Sequence, residues 1–328
     1  ATIAFKAKIF FYEAKLPPLN SLPHPTYPLL VPFTITWTAI NLGAWSDQLV
    51  QITFPCLLLS FLMIFYKFLR YFTDRLWALF GAALLLSSNF FIFHATIAYR
   101  DFTLMYFNCT TLMLLLLWRK SGTFGYLLTA SLFSGISTFV KLEGTSFLVI
   151  HGLMALIIIK DLIHLSTQQK IKHFLAFIIP GAFICFSFLL FKFLTGATKE
   201  GDGIGDKTGM EFSLQKIQLI PRIVESFTNN LFLSGNWNVL WLALLVSLTL
   251  LLDKKKNAEV RITLLALGLY FTMYFLVALL TVNYTWIAGE NNVTTLSRLI
   301  LHFFPLAVIL IVLLNYPREE IDRAEQHR

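Results

Sequence analysis

Long runs of apolar residues are the feature that most constrains what this chain can fold into. A transmembrane helix needs roughly 17–25 consecutive, mostly apolar residues to cross a bilayer. The sequence meets or nearly meets that length nine times, at residues 49–69, 76–95, 102–118, 124–140, 145–160, 173–194, 231–252, 262–281 and 299–315. It therefore predicts an all-α polytopic membrane protein, a transmembrane helix bundle of about nine spans.

Composition excludes several other classes of protein. Of the 328 residues, 57% are hydrophobic and only 13% are charged, which is not the balance of a soluble domain. The net charge of +8 does not indicate nucleic-acid binding, because the lysines and arginines stand mostly at the ends of apolar runs. The three cysteines, Cys56, Cys109 and Cys185, lie inside apolar runs without metal-ligand spacing, so we expect small hydrophobic residues.

The pattern divides the chain into three parts. The apolar run at 29–45 carries two prolines and several threonines, which favours an amphipathic helix lying in the membrane interface. The chain starts without methionine and without the basic and apolar stretches of a signal peptide, so we expect a first membrane helix upstream. The predicted parts are a first outer loop with interfacial helices at 1–48, a bundle at 49–315 with an outer loop at 195–230, and a cytoplasmic tail at 316–328.

The distribution of positive charge predicts which connections share a side of the membrane. Fifteen of the 26 lysines and arginines fall in one set of connections, at 67–75, 119–123, 160–172, 253–261 and the tail from Asn315. The positive-inside rule assigns this set to the cytoplasm. The opposite face then holds Lys6, Lys8, His24, Asp47, Arg100, Asp101, Lys141, Glu143, Glu290, Arg298 and the 195–230 loop.

Three short turns on that face carry ionisable residues. Arg100 and Asp101 lie between two apolar runs, where charged residues usually face a water-filled cavity or a ligand; the alternative is that they neutralise one another. Lys141-Leu142-Glu143-Gly144 forms a tight turn, in which the glycine permits the reversal and the charges either serve a site or pair in an ordinary hairpin. Arg298 stands at the mouth of the last span, where it either binds a ligand or reaches lipid headgroups.

A fourth group lies in the first loop. Lys6 and Lys8 are followed by His24 and Tyr27, which flanking prolines hold near the membrane surface. Aromatic residues that could stack on a sugar are Tyr27, Trp37, Tyr99, Tyr284 and Trp286. The glycine run Gly201-Asp202-Gly203-Ile204-Gly205-Asp206 predicts a mobile loop with solvated aspartates, and it lacks the strand and helix of a phosphate-binding fingerprint.

These motifs occur in an order that resembles a known family. The order is Lys-Ala-Lys, His-Pro-x-Tyr-Pro, Arg-Asp, Lys-x-Glu-Gly and Ser-Arg-Leu with a later proline, spread over nearly the whole chain. It resembles the polyprenyl-phosphate-sugar-dependent glycosyltransferases of the GT-C superfamily, in particular the dolichyl-phosphate-mannose protein mannosyltransferase-like and aminoarabinose-transferase-like proteins. The resemblance implies a GT-C bundle that moves a sugar from a polyprenyl-phosphate donor to a hydroxyl of a glycan, lipid or protein acceptor. The absence of a large luminal insertion favours a bacterial inner-membrane protein with its site facing the periplasm or exterior.

The resemblance also implies catalytic roles. Asp101 matches the second of two acids in the family's site. The first acid, the catalytic base, should precede the Lys-Ala-Lys segment, so it lies upstream of Ala1 or Glu13 replaces it; if it lies upstream, this chain alone should be inactive. Metal or other cofactors are not expected, although some relatives use a divalent cation.

The resemblance implies binding roles for the remaining ionisable residues. Arg298, Lys141 and Arg100 would bind the donor phosphate, the arginines by their two-pronged geometry. Glu143 would hold Lys141 in place. Lys6, Lys8, His24 and Tyr27 would contact the sugar or phosphate. A secondary transporter or a non-catalytic membrane protein remains the alternative, but a transporter predicts internal repeats and charges in mid-helix, and the sequence has no such repeat.

Overall fold

The computed structural model describes residues 2–163, 165–196, 214–250, 257–281, 284–289 and 294–317. Within these ranges the chain is helical and contains no strand, which confirms the all-α prediction. The α-helices of the described residues are α1 (Thr2–Glu13), α2 (Leu30–Leu42), α3 (Thr53–Phe72), α4 (Arg75–Ser87), α5 (Asn89–Thr96), α6 (Arg100–Ser121), α7 (Phe124–Val140), α8 (Glu143–Asp161), α9 (Thr167–Leu194), α10 (Ile220–Thr228), α11 (Leu240–Leu250), α12 (Ala258–Leu280), α13 (Tyr284–Ile287), α14 (Thr295–Leu301) and α15 (Phe304–Asn315).

Several of these helices are long and apolar enough to cross a membrane. Among the described residues, five meet both conditions: α3 with the turn before it (Leu49–Phe72), α6, α8, α9 and α12. Two further pairs meet them only together, α4 with α5 across a 78° bend and α14 with α15 across a 50° bend. The chain is therefore an integral membrane protein, and its described residues hold five candidate spans, or up to seven if each bent pair is one span. The described parts of the nine apolar windows lie mainly on helices. The predicted count of nine spans is not confirmed, because α7, with 17 residues, and the described α11, with 11, are shorter than the five candidate spans.

Two helices form the centre of the bundle. Every residue of α15 from Phe304 to Leu314 is buried, and α6 is buried on nearly all sides. A helix that is apolar on all sides is expected inside a bundle. Helices α3 and α9 lie at the periphery, where Phe183, Phe186 and Phe193 of α9 are exposed. That exposure suits contact with lipid rather than with water.

Small residues allow α7 and α9 to approach closely. A Cβ added to Gly135 would lie 2.9 Å from the carbonyl oxygen of Gly181. Pro180 removes a backbone donor from α9, and the hydroxyl of Ser131 on α7 bridges the next pair of backbone groups in that helix. Its Oγ accepts from the Gly181 amide at 2.9 Å and donates to the carbonyl of Phe177. Close contact through small residues is a common packing mode in membranes.

The N-terminal part differs in one respect from its prediction. Helix α2 does not divide into a polar and an apolar face. The hydroxyls of Thr34, Thr36 and Thr38 donate to backbone carbonyls one turn earlier, so they are satisfied within the helix. The exposed side chains include Trp37 and Ile40, at 66% and 62%. The threonines that suggested an amphipathic helix therefore do not form a polar face.

Candidate functional site

Asp101 is the centre of a group of charged side chains drawn from distant parts of the chain. Its side chain, in the first turn of α6, is only 2% exposed. Oδ1 lies 3.0 Å from Lys141 Nζ and 3.0 Å from His302 Nε2, and Oδ2 lies 3.9 Å from Arg298 Nη1. Lys141 and His302 are 40 and 201 positions away in sequence. We call Asp101, Lys141, Glu143, Arg298 and His302 the ionic cluster.

Lys141 bridges two carboxylates in the turn between α7 and α8. Besides Asp101, its Nζ contacts Glu143 Oε1 at 2.8 Å. Burial opposes the charged form, but the two carboxylates hold the pKa of Lys141 above its ordinary value. The lysine is therefore ionised, and its charge is already balanced by its neighbours.

This turn requires glycine at position 144 because the start of α8 lies very close to the end of α7. The backbone angle of Gly144 does not require glycine. It is not among the glycines with positive φ in the described residues, so the expected role in permitting the reversal needs correction. A Cβ at this position would lie 2.1 Å from the carbonyl oxygen of Ser137. The Ser137 hydroxyl also donates to the Gly144 carbonyl at 3.2 Å. Only a residue without a side chain lets α8 start this close to the end of α7.

The break between α14 and α15 brings Arg298 and His302, the remaining members of the ionic cluster, to Asp101. Leu306 N donates to the carbonyl of Phe303 at 3.0 Å, and Pro305 has no backbone N–H to give. The carbonyl of His302 is thus available for contacts outside its own helix, and it accepts from Asn108 Nδ2 of α6 at 2.7 Å. Broken helices are tolerated at membrane depth when such contacts satisfy the backbone.

Arg100 belongs to a separate group around an aromatic ring. Its guanidinium carbon lies 3.9 Å from the ring centre of Tyr27, a cation–π distance. Tyr27 stacks on His24 with 4.6 Å between ring centres, and Lys6 Nζ donates to the His24 carbonyl at 2.6 Å. Arg100 and Asp101 thus have different partners, so the alternative that they neutralise one another is not observed.

Other predicted site residues lie away from the ionic cluster. Lys8 pairs with Asp47 at 3.6 Å, and both side chains are well exposed. Glu13 is exposed at the end of α1, seven residues from Lys6 and so roughly 10 Å away along the helix axis. None of the described contacts joins Glu13 to Asp101.

The predicted aromatic residues divide in the same way. Tyr27 lies beneath Arg100, and the ring centre of Tyr99 is 5.5 Å from the guanidinium carbon of Arg298. Trp37 is largely exposed on α2, and none of the described contacts joins Tyr284 or Trp286 to the ionic cluster. The predictions for Glu290, for the glycine run 201–206, for the basic stretch 253–256 and for tail residues 318–328 lie outside the described residues.

Buried polar side chains continue from the ionic cluster into the bundle. Tyr274 on α12 hydrogen-bonds Nδ1 of His302. One turn away, the Tyr270 hydroxyl donates to Asn108 Oδ1 at 2.8 Å. It also meets His151 Nε2 of α8 at 2.9 Å. His151 Nδ1 in turn lies 2.8 Å from Ser134 Oγ. We call the set Tyr274, Tyr270, Asn108, His151 and Ser134 the polar ladder.

Sequence reasoning missed His302 and the polar ladder, although a signal was present. His302, His151 and Asn108 each interrupt an otherwise apolar window. An ionisable or strongly polar side chain inside a membrane span is costly, and it usually has a partner or a function.

The polar ladder gives a first prediction. Tyr270→Phe should lower the free energy of unfolding by about 1–2 kcal/mol, because Asn108 and His151 lose a partner in a buried setting. Tyr126→Phe is the matched control, since no described hydrogen bond involves its hydroxyl, and it should unfold like the wild type. Unfolding measured in lipid–detergent mixtures checks both; equal stability of the two variants would show that the ladder contributes nothing.

The ionic cluster reaches the surface through two of its members. The side chains of Arg298 and Glu143 are 26% and 30% exposed, whereas His302 is fully buried. Surface cavities of about 400 and 500 Å³ lie elsewhere, along α11 and α12, and no cluster residue lines them. Within the described ranges, no three His, Cys, Asp or Glu side chains form a group with metal-ligand geometry.

No family model, no curated protein and no solved structure matches this chain. Membership of the GT-C superfamily therefore stays a prediction from the sequence motifs.

Proposed function

We propose that this protein is a membrane glycosyltransferase of the GT-C type, with nine crossings. It moves a sugar from a polyprenyl-phosphate donor to an acceptor hydroxyl of a glycan, lipid or protein. The observation that carries the proposal is the ionic cluster, in which Asp101, Lys141 and Arg298 meet at one end of a bundle of apolar helices. A lipid-linked sugar phosphate needs both a charged site for its phosphate and an apolar surface for its lipid tail. We propose a bacterial inner membrane as its location, with the site facing the periplasm.

We assign binding of the donor phosphate to Arg298 and Arg100. During transfer the bond between the sugar and the phosphate oxygen breaks, and cations stabilise the charge on the departing phosphate. Arg298 is 26% exposed at the edge of the cluster, and no described residue satisfies its Nε. Arg100 contacts a ring face rather than a carboxylate. Lys141, predicted as a phosphate ligand, is held by two carboxylates, so its direct contribution to phosphate binding is smaller.

We assign to Asp101 the role of orienting the cations of the site. Lys141, His302 and Arg298 surround its two oxygens, so it holds the cations of the site in position. An acceptor hydroxyl placed beside Oδ2 would share that oxygen with Arg298. The first-loop base upstream of Ala1 stays a prediction, and so does its replacement by Glu13, which has no described contact with Asp101.

A secondary transporter is the second candidate, and the polar ladder is the observation in its favour. Polar side chains inside a membrane bundle often mark an ion path. A transport path must reach both faces, however. Beyond His151, the buried residues of α8 are Met154, Ala155, Ile158 and Ile159, all apolar. The ladder thus reaches only part of the way along the described α8, which favours the enzyme.

Lipid binding tests the proposal. In nanodiscs, the wild type should bind decaprenyl phosphate at least tenfold more tightly than decaprenol, which has the same tail without the phosphate. Arg298→Ala should weaken binding of the phosphate lipid by about 10- to 100-fold, the equivalent of one charge-assisted hydrogen-bonded contact. Arg298→Lys should restore part of the loss.

Arg261→Ala provides the control for removing an arginine from the surface. Arg261 is 59% exposed and pairs with Asp161 at the other end of α8, so its loss should leave lipid binding unchanged. Equal affinity of the wild type for both lipids would refute the phosphate site, as would an Arg298→Ala variant with undiminished affinity.

A further inference from the structure

His302 is a fully buried histidine whose ring contacts Asp101 on one side and a tyrosine on the other. Its Nε2 lies 3.0 Å from Asp101 Oδ1, and its Nδ1 hydrogen-bonds the hydroxyl of Tyr274, which is itself buried. The proposed glycosyl transfer gives a role to Asp101 but none to His302. An ionisable side chain inside an apolar bundle is costly, and it usually serves a function.

Three helices hold the ring of His302 in place. The backbone carbonyl of His302 accepts from Asn108 of α6 at 2.7 Å, which fixes the residue at the break between α14 and α15. The rings of Phe147 on α8 and Tyr274 on α12 each have their centre 5.9 Å from the centre of the imidazole. A side chain locked by packing and hydrogen bonds can hold a neighbouring functional group in a defined geometry.

The charges of the ionic cluster indicate which ring nitrogen carries the proton. Besides His302, the cluster contains two carboxylates and two cations, so its charges balance when the imidazole is neutral. A positive charge on the buried ring would be in excess among these described members, which is costly. A neutral imidazole has one donor nitrogen, and a carboxylate only accepts. Nε2–H therefore donates to Asp101, and Nδ1 accepts from Tyr274.

We propose that His302 is a positioning residue, which holds the carboxylate of Asp101 in the orientation that glycosyl transfer needs. The proposal rests on the proposed function. Lys141 Nζ and His302 Nε2 fix Oδ1 from two sides, each at 3.0 Å. Rotation of the carboxylate would break both contacts, so Oδ2 stays directed towards Arg298, 3.9 Å away. Tyr274 in turn keeps His302 in the tautomer that donates to Asp101.

The simpler alternative is that His302 contributes only to the stability of the bundle. His151 provides the matched control, because it is also fully buried and hydrogen-bonds Tyr270 and Ser134. None of the described contacts joins His151 to Asp101. His302→Leu and His151→Leu should both unfold more easily, because each leaves buried partners unpaired. Only His302→Leu should transfer sugar more slowly per folded molecule.

Kinetics in proteoliposomes separate the two roles. Each variant, with any upstream residues that its gene encodes, is given a panel of polyprenyl-phosphate sugars, and kcat and KM are measured from release of polyprenyl phosphate. His302→Leu should lower kcat about 10²-fold, the cost of a displaced group in the site, and leave KM within about threefold, because Arg298 still binds the phosphate. His302→Gln should keep kcat within about tenfold of the wild type, because its amide nitrogen can replace Nε2 as the donor.

Two kinetic results would overturn the proposal. One is equal kcat per folded molecule for His302→Leu and His151→Leu, and the other is a His302→Gln variant as slow as His302→Leu. If the wild type consumes part of the panel and either result is found, this inference fails alone. If the wild type consumes none of the panel, the proposed function fails, and this inference fails with it.

A second measurement does not depend on turnover. Nitrogen NMR of isotope-labelled histidine, in nanodiscs, distinguishes the two neutral tautomers from the charged imidazolium. The signals that are missing from His302→Gln belong to His302. At neutral pH they should show a neutral ring protonated at Nε2, and Tyr274→Phe should shift the Nδ1 signal because its donor is lost. A charged ring, or a ring protonated at Nδ1, would contradict the proposal.

Discussion

Asp101→Asn should lower the free energy of unfolding by about 3 kcal/mol and abolish sugar transfer. Asparagine has nearly the same shape as aspartate, so the change removes a charge and little volume. Lys141 and Arg298 then keep their positive charges without the carboxylate that lies 3.0 and 3.9 Å away. Glu143 still pairs with Lys141, which keeps the loss at the lower end of the range for a broken buried pair.

Asp161→Asn is the control for this prediction. Asp161 also pairs with an arginine, Arg261, at 3.2 Å, but both side chains are substantially exposed. Exposed ion pairs contribute between about 0 and 1 kcal/mol, so Asp161→Asn should unfold close to the wild type and retain transfer. Unfolding curves and release of polyprenyl phosphate measure both variants. A stable, active Asp101→Asn protein would remove Asp101 from the site.

Gly144→Ala should be the most damaging glycine-to-alanine change among the described glycines. The added Cβ would lie 2.1 Å from the carbonyl oxygen and 2.4 Å from the carbonyl carbon of Ser137. Those are backbone atoms, so α7 and α8 must move apart, and Lys141 and Glu143 move with them. We expect a loss of about 2–3 kcal/mol in unfolding free energy together with weaker binding of decaprenyl phosphate.

Gly268→Ala serves as the matched control, because it also places alanine in a helix of the bundle. No heavy atom lies within 4 Å of its added Cβ. Alanine is the better helix former by about 0.8–1.0 kcal/mol, so this variant should be as stable as the wild type or more stable. Equal stability of Gly144→Ala and Gly268→Ala would show that the α7–α8 turn is not tightly packed.

The helices could be predicted from sequence because their signal is local. The described part of each apolar window lies mainly on helices, since run length and apolarity decide whether a segment can be helical in a membrane. The bends could not be predicted in the same way. Whether α4 and α5, or α14 and α15, form one span depends on contacts such as the one between Asn108 and His302. Those contacts join residues 194 positions apart.

The sequence predicted which residues form the candidate site better than it predicted which of them contact each other. Counting positive charges grouped Asp101, Lys141, Glu143 and Arg298 on one face, and the structure has neighbouring members of this group 2.8 to 3.9 Å apart. Adjacent residues on a helix point in different directions, which explains why Arg100 turns to Tyr27 while Asp101 turns to the cluster. His302 escaped notice because a single histidine in an apolar run resembles ordinary packing.

Consumption of lipid-linked sugars tests the central claim most directly. The protein in proteoliposomes, extended upstream where its gene encodes more residues, is given a panel of polyprenyl-phosphate sugars that differ only in the sugar headgroup. Release of polyprenyl phosphate is then measured for each donor. The account predicts that at least one headgroup is consumed and that Arg298→Ala lowers its consumption to background. If no headgroup is consumed, or if Arg298→Ala consumes it at the wild-type rate, the ionic cluster is not a site for glycosyl transfer.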